Sequence, residues 1–325
     1  MHPAFSVIFL TTLIGAGQGL FLALFTGQLY GLAQLLPAQD DRFYALGSLI
    51  ALALLVGGLI ASFFHLGRPG RAWRAAAMWR TSWLSREVIV LPLVMALVLA
   101  YGLAHWLGWT TPLFTLGESL PVDPTLVIGL LGTAATFALF VCTAMIYASV
   151  KFLEEWHSPL TVANFTFFGF ASGFMLAAAY SAWLGNHLVG FYGTWAVIAT
   201  LLALVTRGLS LARNRRLKHK STVQTAIGVR HRAVLQKAQG ATGGSFNTRE
   251  FFHGASEAGV RSVRLAFLIL VFPVPVLLVA GAYGIESPAL PAIAFAIQFV
   301  GLMAERWYFF AEARHPQNLY YQSVS

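Results

Sequence analysis

The chain has 325 residues, of which 58% are hydrophobic and only 10% are charged. Soluble domains carry roughly 25% charged residues, so this composition excludes a soluble globular protein and favours a membrane protein. The net charge of +9 follows from the topology signal described below, and no nucleic acid partner is needed to explain it. The single cysteine, Cys142, provides neither a disulfide framework nor a thiolate set for zinc or an iron–sulfur cluster. We interpret it as a packing residue.

Apolar stretches long enough to cross a bilayer recur along the whole chain. A helix needs about 20 predominantly apolar residues to span the hydrocarbon core. The stretches lack the strict alternation of barrel strands, so we predict an all-α bundle that forms a single domain over residues 1–325. The first stretch begins close to Met1 without a basic region before it, which indicates a span rather than a cleaved signal peptide. The predicted transmembrane helices are eight, near residues 6–30, 43–65, 87–108, 125–150, 163–185, 190–208, 263–284 and 288–311.

Lysine and arginine are distributed very unevenly between the two sides of this predicted bundle. Of the 21 lysines and arginines, all but Arg42 fall on one side. Because cytoplasmic loops retain these residues, we predict that both termini are cytoplasmic and that the chain lies in a bacterial inner membrane. The longest loop, residues 209–260 between spans six and seven, is also basic and cytoplasmic in this topology. Its first half reads as a linker, and its second half, with Phe251 and Phe252, as a docked surface element.

The densest polar cluster lies at the cytoplasmic ends of spans two and three. His65 closes one helix and Glu87 opens the next, and ionisable groups at membrane depth are expensive enough to suggest a functional site. A histidine can hydrogen-bond to a quinone carbonyl, and a nearby carboxylate can exchange the accompanying proton. The alternative is that both residues only cap helix ends, that Gly67 only marks a turn and that Arg71 only anchors the loop.

Other polar residues within the spans favour structural interpretations. A b-type haem would need two facing histidines, and only His105 and His187 share a level, near the outer ends of their spans. We therefore expect no haem and no metal ligands in this chain. Glu305 and Arg306 read as an internal pair near the end of the last span. The intramembrane amides read as hydrogen-bonding contacts between helices, at Gln18, Gln28, Asn164 and Gln298.

Four motifs make the chain resemble a known family over most of its length: HLGRPGRAW at 65–73, SWLSRE at 82–87, FNTREFFHG at 246–254 and ERWYFFAEARHPQNLYY at 305–321. They resemble the DmsC family, the membrane anchor subunits of dimethyl sulfoxide reductase-like molybdenum enzymes. The resemblance implies an eight-helix anchor without haem. It also implies cytoplasmic partners in this topology, namely an iron–sulfur electron-transfer subunit and a catalytic subunit that carries molybdopterin guanine dinucleotide.

The same resemblance assigns roles to residues around the predicted loop. The family's quinol-site histidine corresponds to His65 and its acidic residue to Glu87, with Gly67 and Arg71 in the adjoining loop. Glu87 is then the catalytic carboxylate, and all four residues bind a quinone, either ubiquinone or menaquinone.

The substrate of the catalytic partner differs within the family, and the topology helps to discriminate between the candidates. For dimethyl sulfoxide reductase itself, the resemblance implies catalytic subunits that are exported across the membrane. In this chain the charge bias instead places the His65 loop on the cytoplasmic side. Around SWLSRE the chain is also similar to the anchors of cytoplasmic sulfite-oxidising complexes. We therefore predict an anchor that passes electrons from sulfite oxidation to quinone. The alternative in the same class is a quinol-oxidising anchor of an S-oxide or N-oxide reductase.

Two functions of other classes are weighed against this prediction. A transporter would show paired repeats of interrupted helices and ionisable residues at the bilayer midplane, whereas here the charges cluster at span ends. A passive tether would hold the catalytic subunits at the membrane without binding quinone. Only the cluster around His65 and Glu87 argues against the tether.

Overall fold

A computed structural model describes residues 1–116, 120–218, 221–231, 233–235, 237–238, 250–285 and 287–320. The helices are α1 (Phe5–Leu32), α2 (Asp41–Phe63), α3 (Trp83–Trp106), α4 (Pro124–Ala148), α5 (Pro159–Trp183), α6 (Val189–Asn214), α7 (Val223–Ile227), α8 (Glu257–Val271), α9 (Pro273–Ile285) and α10 (Ala289–Glu312). Two 3₁₀ segments cover Pro69–Met78 and Pro316–Tyr320. Strands β1 (Phe114–Leu116) and β2 (Leu120–Val122) form an antiparallel pair with Phe114 opposite Val122.

The predicted helical membrane protein is confirmed. Within the described residues, eight helical segments are long and apolar enough to cross a membrane. The seventh, Glu257–Gly284, combines α8 and α9, which are interrupted at Phe272 before Pro273. Proline lacks a backbone N–H and clashes with the preceding turn, which explains the break. This segment begins earlier than the predicted 263 because its first turns carry Arg261 and Arg264, which an apolar count leaves out.

Helices α1 and α5 cross at the centre of the bundle through glycine. Gly15 and Gly19 on α1 face Gly169 and Gly173 on α5, with the four-residue spacing that lets two helix backbones touch. A Cβ atom on Gly19 would overlap the Gly169 carbonyl oxygen, and one on Gly173 would overlap the backbone of Gly19. The crossing therefore has no room for side chains.

One end of the bundle carries most of the features that bear on function, and we call it the Arg-rich end. It holds the α2–α3 connection, residues 64–82, and the α4–α5 connection, residues 149–158. Both chain ends lie there as well, since the Met1 amino group donates a hydrogen bond of 2.8 Å to the Ala313 carbonyl. That this end faces the cytoplasm remains a prediction.

The long predicted loop 209–260 is only partly covered by the described residues. Helix α6 continues to Asn214, and residues 239–249, including the first part of FNTREFFHG, lie outside the described part. In its second part, the Phe251 ring stacks on His315 at 3.7 Å, and the Asn318 amide donates to the Phe251 carbonyl at 2.9 Å. The predicted docking of this element is therefore seen for Phe251 against the C-terminal segment.

A matched pair of glycine substitutions tests the central crossing. In Gly173→Ala the new methyl group must displace the α1 backbone, and overpacking of this kind costs about 1–3 kcal/mol. Gly208→Ala, in α6, places the same methyl group in open space, where alanine favours the helix. We expect a lower melting temperature for the purified Gly173→Ala protein and an unchanged or higher one for Gly208→Ala. Equal melting temperatures would show that the crossing has room to relax.

Candidate functional site

Glu87 is a buried carboxylate in the first turns of α3. The helix begins after Ser82, whose hydroxyl accepts a hydrogen bond from the Ser85 backbone N–H, so Glu87 lies inside the helix rather than opening it. Its side chain is only 7% exposed. Oε1 accepts a 2.6 Å hydrogen bond from the Thr143 hydroxyl on the neighbouring helix α4. Sequence reasoning misses Thr143, because no sequence signal connects positions so far apart.

His65 lies two residues beyond the last residue of α2, at the same end of the bundle as Glu87. Its imidazole is largely exposed and makes no hydrogen bond within the described part of the chain. Desolvation by the surrounding protein lowers the pKa of His65 below its ordinary value of 6.5. The lowered pKa favours the neutral ring, in which one nitrogen is a donor and the other an acceptor.

The structure does not join His65 to Glu87 directly. Among the described residues, no hydrogen bond or ion pair links these two side chains. Gly67 and Arg71 both lie in the α2–α3 connection, and a Cβ atom on Gly67 would meet nothing within 4 Å. Three of the four residues assigned to the quinone site thus lie in the α2–α3 connection and the fourth, Glu87, near the start of α3, and their joint action remains a prediction.

Arg86 fixes the α2–α3 connection onto the start of α3. Its Nε donates to the Trp79 carbonyl and its Nη2 to the Arg80 carbonyl, both at 2.9 Å. Its guanidinium also lies 4.1 Å from the centre of the Trp83 ring. Four further arginines of the connection are exposed and form no ion pair with a described residue: Arg68, Arg71, Arg74 and Arg80. The surface beside His65 is therefore strongly positive.

The pKa of His65 can be tested by chemical modification. Diethyl pyrocarbonate acylates neutral imidazole, and His65 is exposed with a pKa below 6.5. When the pH is lowered from about 7.5 to about 6, the rate of His65 modification should fall in both states of the protein. We expect a smaller fall in the folded protein than in the denatured chain, because the pKa of His65 has its ordinary value in the denatured chain. Peptide mapping by mass spectrometry measures both rates on the same peptide. An equal fall in both states would contradict the structure.

A second polar cluster is buried on the other side of the bundle. Glu305 on α10 is paired with Arg207 on α6, where Nε lies 2.8 Å from Oε1, and with Arg306, where Nη2 lies 2.7 Å from Oε2. Arg207 also lies 3.5 Å from Glu312. The predicted pair of Glu305 and Arg306 is confirmed. Arg207 lies near the end of the predicted sixth span, and in the structure it is 1% exposed within α6, where Glu305 compensates its charge.

Removing one member of this cluster should be strongly destabilising. Arg207→Met leaves the Glu305 carboxylate buried without its inter-helix cation, and breaking a buried pair in this way costs about 3–5 kcal/mol. Arg261→Met removes the same side chain from an exposed position of α8 and serves as the control. We expect the melting temperature to fall for Arg207→Met only. A fall of the same size in both variants would mean that the pair contributes nothing specific.

The remaining polar residues within the spans hold helices together. Gln18 donates to the Thr136 carbonyl on α4 at 3.1 Å, and Gln298 donates to the Thr200 hydroxyl on α6 at 3.0 Å. His105 Nδ1 lies 2.7 Å from the Asp41 carboxylate, which connects α3 to α2 at the end opposite the Arg-rich end. Cys142 is buried, as the packing interpretation requires. No three metal-ligating side chains are grouped in the described part of the chain.

Comparison with known proteins agrees with the membrane bundle. The family model described as DMSO reductase anchor subunit (DmsC) matches residues 1–311. The chain is 73% identical over 325 residues to a sulfite dehydrogenase subunit of Allochromatium vinosum, and the alignment covers 100% of both chains. The family match includes His65, Gly67, Arg71, Glu87 and the cluster around Glu305. The chain belongs to the family of DMSO reductase anchor subunits, DmsC.

Proposed function

We propose that this chain is the quinone-reactive membrane anchor of a sulfite-oxidising complex. The observation that carries the proposal is a buried carboxylate, Glu87, at the start of one span and an exposed neutral imidazole, His65, at the end of the preceding span. Both groups border the connection that carries the resemblance to the family. Within the bilayer an ionisable residue that is not fully neutralised is expensive, which favours a functional role.

The substrate follows from the relative and from the predicted topology. The full-length relative is described as a subunit of sulfite dehydrogenase, and the identity of 73% extends through both chains. The arginines of the α2–α3 connection favour a quinone site on the cytoplasmic side by the positive-inside rule. Sulfite would then be oxidised to sulfate on that side of the inner membrane.

The partner subunits supply the redox centres. Oxidation of sulfite with water yields sulfate, two protons and two electrons, and molybdopterin guanine dinucleotide and iron–sulfur clusters in the partners supply that chemistry and the electron path. Among the described residues no set of side chains could hold such a metal centre. The role of this chain is to bind the quinone, to protect it from side reactions and to deliver protons to it.

The residues of this chain divide that role between them. The neutral His65 ring orients the quinone by donating an N–H to one carbonyl oxygen. Glu87 transfers a proton to the quinone oxygen as two electrons arrive, and water at the Arg-rich end reprotonates it. Arg71 and Gly67 lie in the same connection as His65 and complete the quinone-binding set. Reduction of one quinone consumes two electrons and two protons.

A second candidate function reverses the flow. The family description names DMSO reductase, and the same residues could take protons from a quinol while a partner reduces an S-oxide or N-oxide. His65 would then accept a hydrogen bond from the quinol hydroxyl and Glu87 would accept its proton. The two candidates differ in the partner's substrate and not in the geometry of this site.

The test is quinone reduction by the complex purified through a tag on this chain. With sulfite as donor and a ubiquinone or menaquinone analogue as acceptor, we expect turnover to fall about a hundredfold in Glu87→Gln and in His65→Ala. Molybdenum and iron should copurify with both variants, since Glu87 is buried and the four exposed arginines beside His65 are left unchanged. Matched controls on exposed positions are Glu257→Gln and His231→Ala, which should keep wild-type turnover.

Each other outcome points to a different conclusion. If both variants assemble and turn over normally, this chain is a passive tether. If metals copurify but sulfite is inert while a quinol supports S-oxide reduction, the reversed flow is correct. If neither metal copurifies, the partner hypothesis is wrong, and flux measurements on the isolated chain in liposomes would test transport instead.

A further inference from the structure

The hydrogen bond between Thr143 and Glu87 differs from the bond that six other threonines in the spans make within their own helices. A threonine inside a helix normally donates its hydroxyl proton to the carbonyl four residues earlier. Thr12, for example, donates to the Ile8 carbonyl at 2.8 Å. The same bond is made by Thr11, Thr26, Thr166, Thr194 and Thr200.

Thr143 instead turns its hydroxyl away from its own helix. Its Oγ1 lies 2.6 Å from Glu87 Oε1 on α3, and this is its hydrogen bond within the described part of the chain. Both side chains are 7% exposed, so water does not compete effectively for this bond. A hydroxyl has a single proton to donate, and here that proton is committed to one oxygen of the carboxylate.

The two oxygens of Glu87 are therefore not equivalent. Oε1 is occupied by the Thr143 hydroxyl. Oε2 makes no hydrogen bond with a described residue, so its lone pairs remain free for a proton or a ligand. An oxygen that already accepts from a hydroxyl is the poorer position for the carboxyl proton, whereas the oxygen without such a donor can exchange one with a ligand.

We infer that Thr143 is a positioning residue that directs proton transfer to Oε2 of Glu87. This inference rests on the proposed function, because it assigns the atom that exchanges the proton in quinone reduction. The bond from Oε2 to its proton breaks, the quinone oxygen forms the new O–H bond as electrons arrive from the partner subunit, and Glu87 is left as a carboxylate. A proton from water then restores Oε2–H, while Thr143 keeps Oε1 and the plane of the carboxyl group fixed throughout.

Turnover of the assembled complex provides the first test. Thr143→Val keeps the shape of the side chain and removes the donor, and the loss of a hydrogen bond to an ionisable group corresponds to about a tenfold lower kcat. Thr143→Ser keeps the hydroxyl and should restore kcat. Thr12→Val, a buried isosteric change whose hydroxyl serves only its own helix, should match the wild type.

A double-mutant cycle separates positioning from a general effect on packing. Because Thr143 acts through the carboxyl group, Thr143→Val should cause no further loss of kcat in the Glu87→Gln background, whereas a purely structural effect would add to it. If Glu87→Gln is impaired while Thr143→Val equals Thr12→Val, the inference is overturned and the proposed function stands. If Glu87→Gln turns over normally, the proposed role of Glu87 itself fails.

Infrared difference spectroscopy of the oxidised and quinol-reduced complex tests which oxygen carries the proton. The C=O stretching band of protonated Glu87 is the band that disappears in Glu87→Gln. With the proton on Oε2, the carbonyl oxygen is Oε1 and accepts from Thr143, so the band should move to higher frequency in Thr143→Val and return in Thr143→Ser. A band unchanged in Thr143→Val would overturn the assignment of the proton to Oε2.

Discussion

The direct contact between the backbones of α1 and α5 is the constraint that organises the bundle. In lipid, helices gain little from burying apolar side chains, so close van der Waals contact through small residues is the main attraction. Gly19 and Gly173 bring the two helices together without intervening side chains. Helices α2, α4 and α10 also pack against α1, and α4, α6 and α10 pack against α5, while α3 lies between α2 and α4.

Two buried carboxylates of this bundle are stabilised by different means. Glu305 is paired with the guanidinium groups of Arg207 and Arg306, and its pairing with Arg207 ties α6 to α10. The described hydrogen-bond partner of Glu87 is the neutral hydroxyl of Thr143. A carboxylate held by cations is suited to holding helices together, whereas one held by a hydroxyl remains able to exchange a proton.

Both clusters lie in a chain that belongs to the DmsC family of membrane anchor subunits. Arg86 holds the residues that follow the 3₁₀ segment against the start of α3. The exposed arginines and His65 therefore lie at the same end of the bundle as Glu87, and no hydrogen bond or ion pair joins them to it among the described residues. In the proposed function the ligand would bridge that separation. The arrangement is consistent with a site that is completed by its substrate and by a partner subunit.

The eight spans follow from the amino-acid sequence alone, because the length of an apolar stretch is a local property, and His65 and Glu87 stand out through their position at span ends and their motif. No local property reveals Thr143 as the partner of Glu87, or Arg207 as the buried partner of Glu305. Both depend on the rotation and depth of each helix about its axis. Packing against neighbouring helices sets those quantities, so which polar groups meet is decided in the folded bundle.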